Sequence, residues 1–173
     1  SNMEANIVLL PGDGVGPEVV AAAVSVLDAV SKAGGHHFTY QEELIGGTSI
    51  DRCGVALTDE VLETCKRSDA VLLGAVGGPK WDDPSAAIRP EQGLLALRKG
   101  LGVFANLRPV KVYSALLNAS PVKAERLVGV DMVLMRELSS GLYYGEPRKR
   151  EVVGEHIRAV DTLEYWDHEI ERI

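Results

Sequence analysis

The sequence predicts an α/β fold built on a wound, mostly parallel sheet, and three observations predict it. Two short, continuous apolar runs, Ile7-Val8-Leu9-Leu10 and Ala70-Val71-Leu72-Leu73, have the length and β-branched content of buried parallel strands. Each run ends in a glycine-rich loop, 12–16 and 74–78. Strand-like and helix-like patterns alternate between and after them, which is the rhythm of a sheet whose ligands gather at the carboxyl ends of its strands.

The elements follow in order. After the first strand, Pro17-Glu18 opens a helix that runs to about Lys32, because proline at the first turn sacrifices an N–H that has no helical partner and Glu18 complements the positive helix end. Gly34-Gly35 closes it. His37 to Leu44 alternates apolar with polar residues and reads as a strand leading to Gly46-Gly47. Thr58 is placed to cap a helix running to Lys66, with Asp59 and Glu60 in its first turn. Arg89-Pro90 opens a third helix reaching about Lys99, and Phe104 to Lys111 is a strand. Asp131 to Met135 is a further apolar strand that delivers Arg136-Glu137 at its end. Gly141 to Gly145 looks extended, whereas 147–161 is charged without clear periodicity and reads as an exposed arm or loop. Trp166 to Ile173 begins a helical pattern that stops without a capping signal, so a longer protein is expected to continue beyond it, with a natural frayed terminus as the alternative.

With 173 residues, 46% of them hydrophobic, the chain can bury one good core or two small ones. A formal net charge of -7 argues against nucleic acid as a partner. The longest apolar runs fall far short of the ~20 residues of a membrane span, and no secretory leader is evident. Cys53 and Cys65 make no disulfide framework, which points to a reducing, cytoplasmic setting. The four histidines have no metal-ligand spacing, so a zinc site is not expected.

Several residues could carry chemistry. Gly12-Asp13-Gly14-Val15-Gly16-Pro17 fails the G-x-G-x-x-G dinucleotide pattern but offers exposed backbone N–H groups before a helix, suited to a ribose or amide group. Its glycines could equally serve only to relieve steric strain. Glu91, Leu94, Leu95 and Arg98 fall at i, i+3, i+4 and i+7 on one helical face. That stripe is either a half-buried surface with Arg98 snorkelling, or a pocket floor in which the leucines meet an apolar group and Arg98 grips a carboxylate. Arg108 and Arg136 each sit in or at the end of an apolar strand, where burial would demand an anionic partner. Ion pairs with Glu137 or Glu146 would supply one, and three converging arginines would suit a dicarboxylate.

Five strings taken together resemble one family: LLPGDGVGPEV at 9–19, GAVGGPKWD at 74–82, RPEQGLLALRK at 89–99, FANLRPVKVY at 104–113 and RELSSGLYYGEPR at 136–148, with AVDTLEY at 159–165 extending the match. The chain resembles the decarboxylating β-hydroxyacid dehydrogenases, and among them the 3-isopropylmalate dehydrogenases of leucine biosynthesis. The resemblance implies a sheet of that family's type, incomplete here, with 1–103 as the beginning of a first domain and 104–173 as the beginning of a second that bears a dimer arm. It implies NAD-dependent oxidative decarboxylation of 3-isopropylmalate with Mg2+ or Mn2+. Arg98, Arg108 and Arg136 would clamp the carboxylates and hydroxyl, and Leu94 and Leu95 would meet the isopropyl group. Glu91 would lie between substrate and nicotinamide, and Val15 with Gly74, Ala75, Val76, Gly77 and Gly78 would lie near the nicotinamide ribose. Tyr143 matches the catalytic tyrosine. A phenol ionises near pH ~10, so positive charge from arginine or lysine is expected to tune it.

The family's catalytic lysine, metal-binding aspartates and adenosine-binding loop lie beyond Ile173, so this chain has no metal ligand of its own and is expected to be inactive alone. Homodimerisation is expected. Tartrate, malate and homoisocitrate dehydrogenases of the same family remain alternatives, as does a non-catalytic binding or assembly fragment.

Overall fold

In the computed structural model, residues 2–173 are described, and they divide into two units, one up to Leu101 and one from Gly102. The first unit holds strand β1 (Glu4–Gly12), helix α1 (Gly16–Gly34), β2 (His37–Glu42), α2 (Gly47–Cys53), α3 (Asp59–Arg67), β3 (Ala70–Ala75) and α4 (Pro90–Leu101). Its sheet is entirely parallel in the order β2-β1-β3, with Ile7 opposite Ala70 and Glu4 opposite His37. The chain therefore leaves β1 on one side and returns on the other, which makes the β1/β3 boundary the topological switch point.

Alternation along the central strand sorts the core into two layers. Val8 and Leu10 point to one face with Ile45, Val61, Cys65 and Leu97, while Ile7 and Leu9 point to the other with Val20 of α1. Helices α3 and α4 cover the first face and α1 the second, giving three layers around a sheet too narrow to be stable uncovered. Thr58 caps α3 by accepting from the Val61 N–H at 3.3 Å, as its sequence position predicts. Burial in this layer pushes the Cys65 thiol above its ordinary value, helped by the charge of Glu43.

Strand β2 stops at Glu42, short of the predicted Leu44, and α2, unpredicted, begins at Gly47. Its opening Gly46-Gly47 reads as a turn because nothing local caps it; the cap comes from Asp13, far back in the chain.

The second unit is made of antiparallel pairs. Strands β4 (Ala105–Lys111) and β5 (Asp131–Glu137) pair so that Arg108 faces Leu134 and Asn106 faces Arg136, with the short helix α5 (Ala124–Leu127) in the connection. Strands β6 (Lys149–Val153) and β7 (His156–Val160) form a hairpin closed by Gly154-Glu155, and α6 (Asp167–Glu171) ends the described chain. Two sequence expectations are corrected here. The stretch 147–161 is exposed, as an arm would be, but is largely this hairpin and not a loop: Glu151 faces Arg158 across the pair and Lys149 two residues along its own strand. The segment from Gly141 to Gly145 is not extended but opens with a 3-10 turn, Gly141–Tyr143, because its backbone is fastened to 162–165: the Gly141 N–H donates to the Glu164 carbonyl at 3.0 Å.

No helix among the described residues is long and apolar enough to cross a membrane.

Candidate functional site

Both glycine loops begin where β1 and β3 end side by side, Gly12 opposite Ala75. Gly12 has a φ of 72°, and a Cβ there would overlap the Ala75 carbonyl, so only glycine lets the two backbones meet. The Asp13 N–H donates to that same carbonyl at 2.7 Å. Val15, at the start of α1, leaves 56% of its surface exposed beside this corner. Gly74 and Ala75 end β3, and Val76, Gly77 and Gly78 form the half-buried turn that follows.

Gly77 has a φ of 99°, and a Cβ on it would come 3.2 Å from Glu91 Oε1, while one on Gly14 would meet only the Gly77 carbonyl at 4.0 Å. Backbone surface is thus open at Gly14, while Gly77 lies close against the Glu91 carboxylate, and a cradle of exposed backbone beside a carboxylate could take the ribose and amide end of a dinucleotide. Glu91 lies in the first turn of α4 and also faces Arg89 Nε at 3.5 Å, an ion pair without hydrogen-bond geometry.

Helix α4 buries Pro90, Gly93 and Leu97. That turns the neighbouring stripe partly outward: Leu94, Leu95 and Arg98 are half-buried and Glu91 exposed. The two leucines are accordingly not core residues, and Arg98 has no carboxylate partner among the described residues.

Beyond the cradle, the chain after β3 is fastened to α2 by Asp51, whose carboxylate takes Lys80 Nζ at 2.5 Å and Trp81 Nε1 at 3.3 Å. The Lys80 hydrogen bond, more than its charge alone, holds the Asp51 carboxyl below the usual carboxylate range. The clasp therefore persists above that range and loosens as pH falls through the lowered value.

In the second unit, register places Arg108, Asn106, Arg136 and Leu134 on one face of the β4–β5 ribbon, the two arginines lying diagonally across it. Arg108 Nε donates to Asn106 Oδ1 at 3.3 Å. The sequence expectation that burial forces anionic partners on these arginines is corrected: both are exposed, and neither has a carboxylate partner among the described residues. Glu137 turns to Ser139 and Ser140, and Glu146 to the Arg148 N–H. Arg136 instead donates from Nη2 to the Tyr143 hydroxyl, with its guanidinium carbon 5.2 Å from the ring centre.

Arg136 and Tyr143 line an open cavity of about 820 Å³ together with Met135, Arg148, Leu163 and Tyr165. Arg148, not singled out by sequence, holds the turn bearing Tyr143: its Nη2 donates to the Leu142 carbonyl and its Nε to Asp161 Oδ1 at 3.1 Å. No group of three or more His, Cys, Asp or Glu side chains among the described residues is arranged to hold a metal ion.

A 3-isopropylmalate dehydrogenase from Anaeromyxobacter dehalogenans is 63% identical over 171 residues, covering 99% of this chain and 48% of that protein. The chain spans about half the length of the curated relatives it matches. A crystal structure of a beta-decarboxylating dehydrogenase from Thermococcus kodakarensis in its apo form superposes with a TM-score of 0.60 at 37% identity, covering 96% of this chain and 42% of that one. An isocitrate dehydrogenase from Methylococcus capsulatus gives a TM-score of 0.68 at 26% identity, covering 96% and 44%. With the isocitrate/isopropylmalate dehydrogenase family model matching residues 6–173, continuously from the first strand through both glycine loops and both arginine strands, the chain belongs to that family.

Proposed function

We propose that this chain is part of an NAD-dependent dehydrogenase that oxidises and decarboxylates 3-isopropylmalate to 4-methyl-2-oxopentanoate in leucine biosynthesis. The observation that carries this is the half-exposed leucine pair of α4, Leu94 and Leu95, standing between Glu91 and Arg98 in a chain 63% identical to a 3-isopropylmalate dehydrogenase. An apolar pair flanked by an acid and a guanidinium matches an acid that carries a branched alkyl group.

The reaction removes hydride from C2 and a proton from its hydroxyl, then breaks the bond from C3 to its carboxylate, releasing CO2 and leaving an enolate that takes a proton at C3. NAD, when bound, would supply the hydride acceptor, and a divalent metal, Mg2+ or Mn2+, held by ligands proposed to lie outside these residues, would supply the Lewis acid for the new carbonyl. Arg98, Arg108 and Arg136 hold the carboxylates and hydroxyl, since guanidinium matches carboxylate oxygens two at a time. Tyr143 delivers the proton to C3. Arginine has no acceptor atom, so the Arg136 contact to Tyr143 uses the phenol's lone pair and leaves its O–H free to donate. Val15 and residues 74–78 receive the nicotinamide ribose, with Glu91 at the border between cofactor and acid.

The test is specificity. In a chain of the relatives' full length carrying this sequence, NADH should form from 3-isopropylmalate with kcat/KM well above that for malate, tartrate or homoisocitrate. Leu94→Ala/Leu95→Ala should lower kcat/KM for 3-isopropylmalate roughly 10- to 200-fold and leave malate nearly unchanged, as expected for lost alkyl contact. Equal loss for both acids would remove the leucines from substrate recognition.

The 173 residues alone are proposed to be inactive. Strand β5 exposes Val133, Leu134 and Met135, which alternate across both faces of a two-stranded ribbon, so apolar surface is left uncovered on each side. Light scattering should show the isolated chain self-associating, and it should form no NADH; a monodisperse monomer with steady turnover would overturn this. The working enzyme is proposed to be a cytoplasmic homodimer.

A further inference from the structure

We propose that Asp13 is a positioning residue that sets the cofactor-facing turn, by gathering three backbone N–H groups from two separate segments onto one buried carboxylate. This rests on the proposed dehydrogenase reading, in which residues 74–78 meet the nicotinamide ribose.

Asp13 is only 2% exposed. Its Oδ2 accepts from the Gly47 N–H at 2.7 Å and the Gly77 N–H at 2.8 Å, and its Oδ1 from the Thr48 N–H at 2.8 Å. Gly47 and Thr48 open α2, where first-turn N–H groups have no helical acceptor. Gly77 belongs to the turn after β3. One carboxylate therefore joins the end of β1, the start of α2 and the cradle turn.

The residue type matters because all three partners are donors. An ionised carboxylate is acceptor-only, with lone pairs enough for three N–H groups, whereas asparagine would turn its own NH2 against at least one of them. The surroundings are shaped to the carboxylate: a Cβ on Gly46, whose φ is 75°, would lie 2.5 Å from Asp13 Oδ2 and 3.0 Å from Val76 Cγ1. Glycine at 46 thus lets Asp13 reach the turn at all.

Two carboxylates fasten the chain after β3 to α2, and they differ in kind. Asp51 holds Lys80 and Trp81 at the surface, while Asp13 holds Gly77 itself, whose Cβ position lies 3.2 Å from Glu91 Oε1. Loss of the inner tie should misplace the cradle, and loss of the outer one should not.

The experiment compares Asp13→Asn and Asp51→Asn in a chain of the relatives' full length carrying this sequence, with amide hydrogen exchange, NADH affinity by fluorescence and KM for 3-isopropylmalate as readouts. Asp13→Asn should speed exchange at Gly47, Thr48 and Gly77 and weaken NADH binding roughly 10- to 100-fold, with KM for the acid within about two-fold. Asp51→Asn should leave NADH affinity unchanged. If Asp13→Asn does not fold, the unaltered protein still decides: NADH should slow exchange at Gly47, Thr48 and Gly77 together, and protection confined to Gly77 would overturn the clamp. Faster exchange in Asp13→Asn without weaker NADH binding would reduce Asp13 to a structural role and overturn the proposal alone. An unaltered protein that neither binds NADH nor acts on 3-isopropylmalate would overturn the dehydrogenase reading, and this proposal with it.

Discussion

Replacing Tyr143 with phenylalanine in a full-length chain is expected to lower kcat for 3-isopropylmalate by roughly 10²- to 10⁴-fold, the range for loss of a positioned general acid, with KM changed by less than about three-fold. The side chain suits that role. It is 47% exposed on a 3-10 turn, at the wall of an open cavity, and its oxygen accepts from Arg136 rather than spending its proton on a neighbour. In the proposed reaction the guanidinium beside that oxygen would stabilise the charge left behind as the proton moves to C3. Phenylalanine preserves the ring under the Arg136 cation and removes only the hydroxyl, so a collapse of kcat would isolate proton delivery. Steady-state turnover within ten-fold of the unaltered enzyme would mean that another group, or water, protonates C3.

Arg136→Gln should be nearly as damaging, with a different signature. Truncating one partner of a hydrogen-bonded charge pair costs about 3 kcal/mol, which is roughly 150-fold in kcat/KM, and both parameters should suffer because the residue serves twice. It would grip a substrate carboxylate, and it already orders the tyrosine hydroxyl. Arg136→Gln with Tyr143→Phe should therefore cost less than the sum of the two single changes, since each removes part of the same arrangement. Strict additivity of the logarithms in a double-mutant cycle would show that the two side chains act separately.

How much of this was legible in the sequence differs by element. Strands β1 and β3 and helices α1, α3 and α4 could be read because their signals are local: apolar runs of the right length, proline at an N-terminus, Thr58 ahead of Asp59 and Glu60. The hairpin β6–β7 was missed although its turn residues, Gly154-Glu155, lie in plain view, because both of its faces are exposed and no apolar alternation marks a buried one. Tyr143 and Tyr144 carry β propensity that suggested an extended segment, and tertiary bonds from Gly141 to Glu164 and from Arg148 to Leu142 overrode it. Arg108 and Arg136 were found by type and strand position, but their shared face follows from a pairing register the sequence does not print. Asp13 lies among the glycines of the first loop, whose spacing points to backbone chemistry. Its partners are 34, 35 and 64 residues away, so nothing nearby could reveal it.

The parallel sheet also governs the order in which these parts come together during folding. Hairpin β6–β7 closes through two residues and can form within roughly 1–10 μs, whereas β1 cannot pair with β3 until the chain has closed from Ile7 to Ala70 with α1, β2, α2 and α3 in between. Contacts that need the longest closures form slowly, because the entropy of loop closure is lost before they are gained. The corner where Gly12 meets Ala75 and Asp13 collects its three amides depends on just that closure. The part of the unit proposed to face the cofactor is therefore assembled late, after the strands that carry it have found each other.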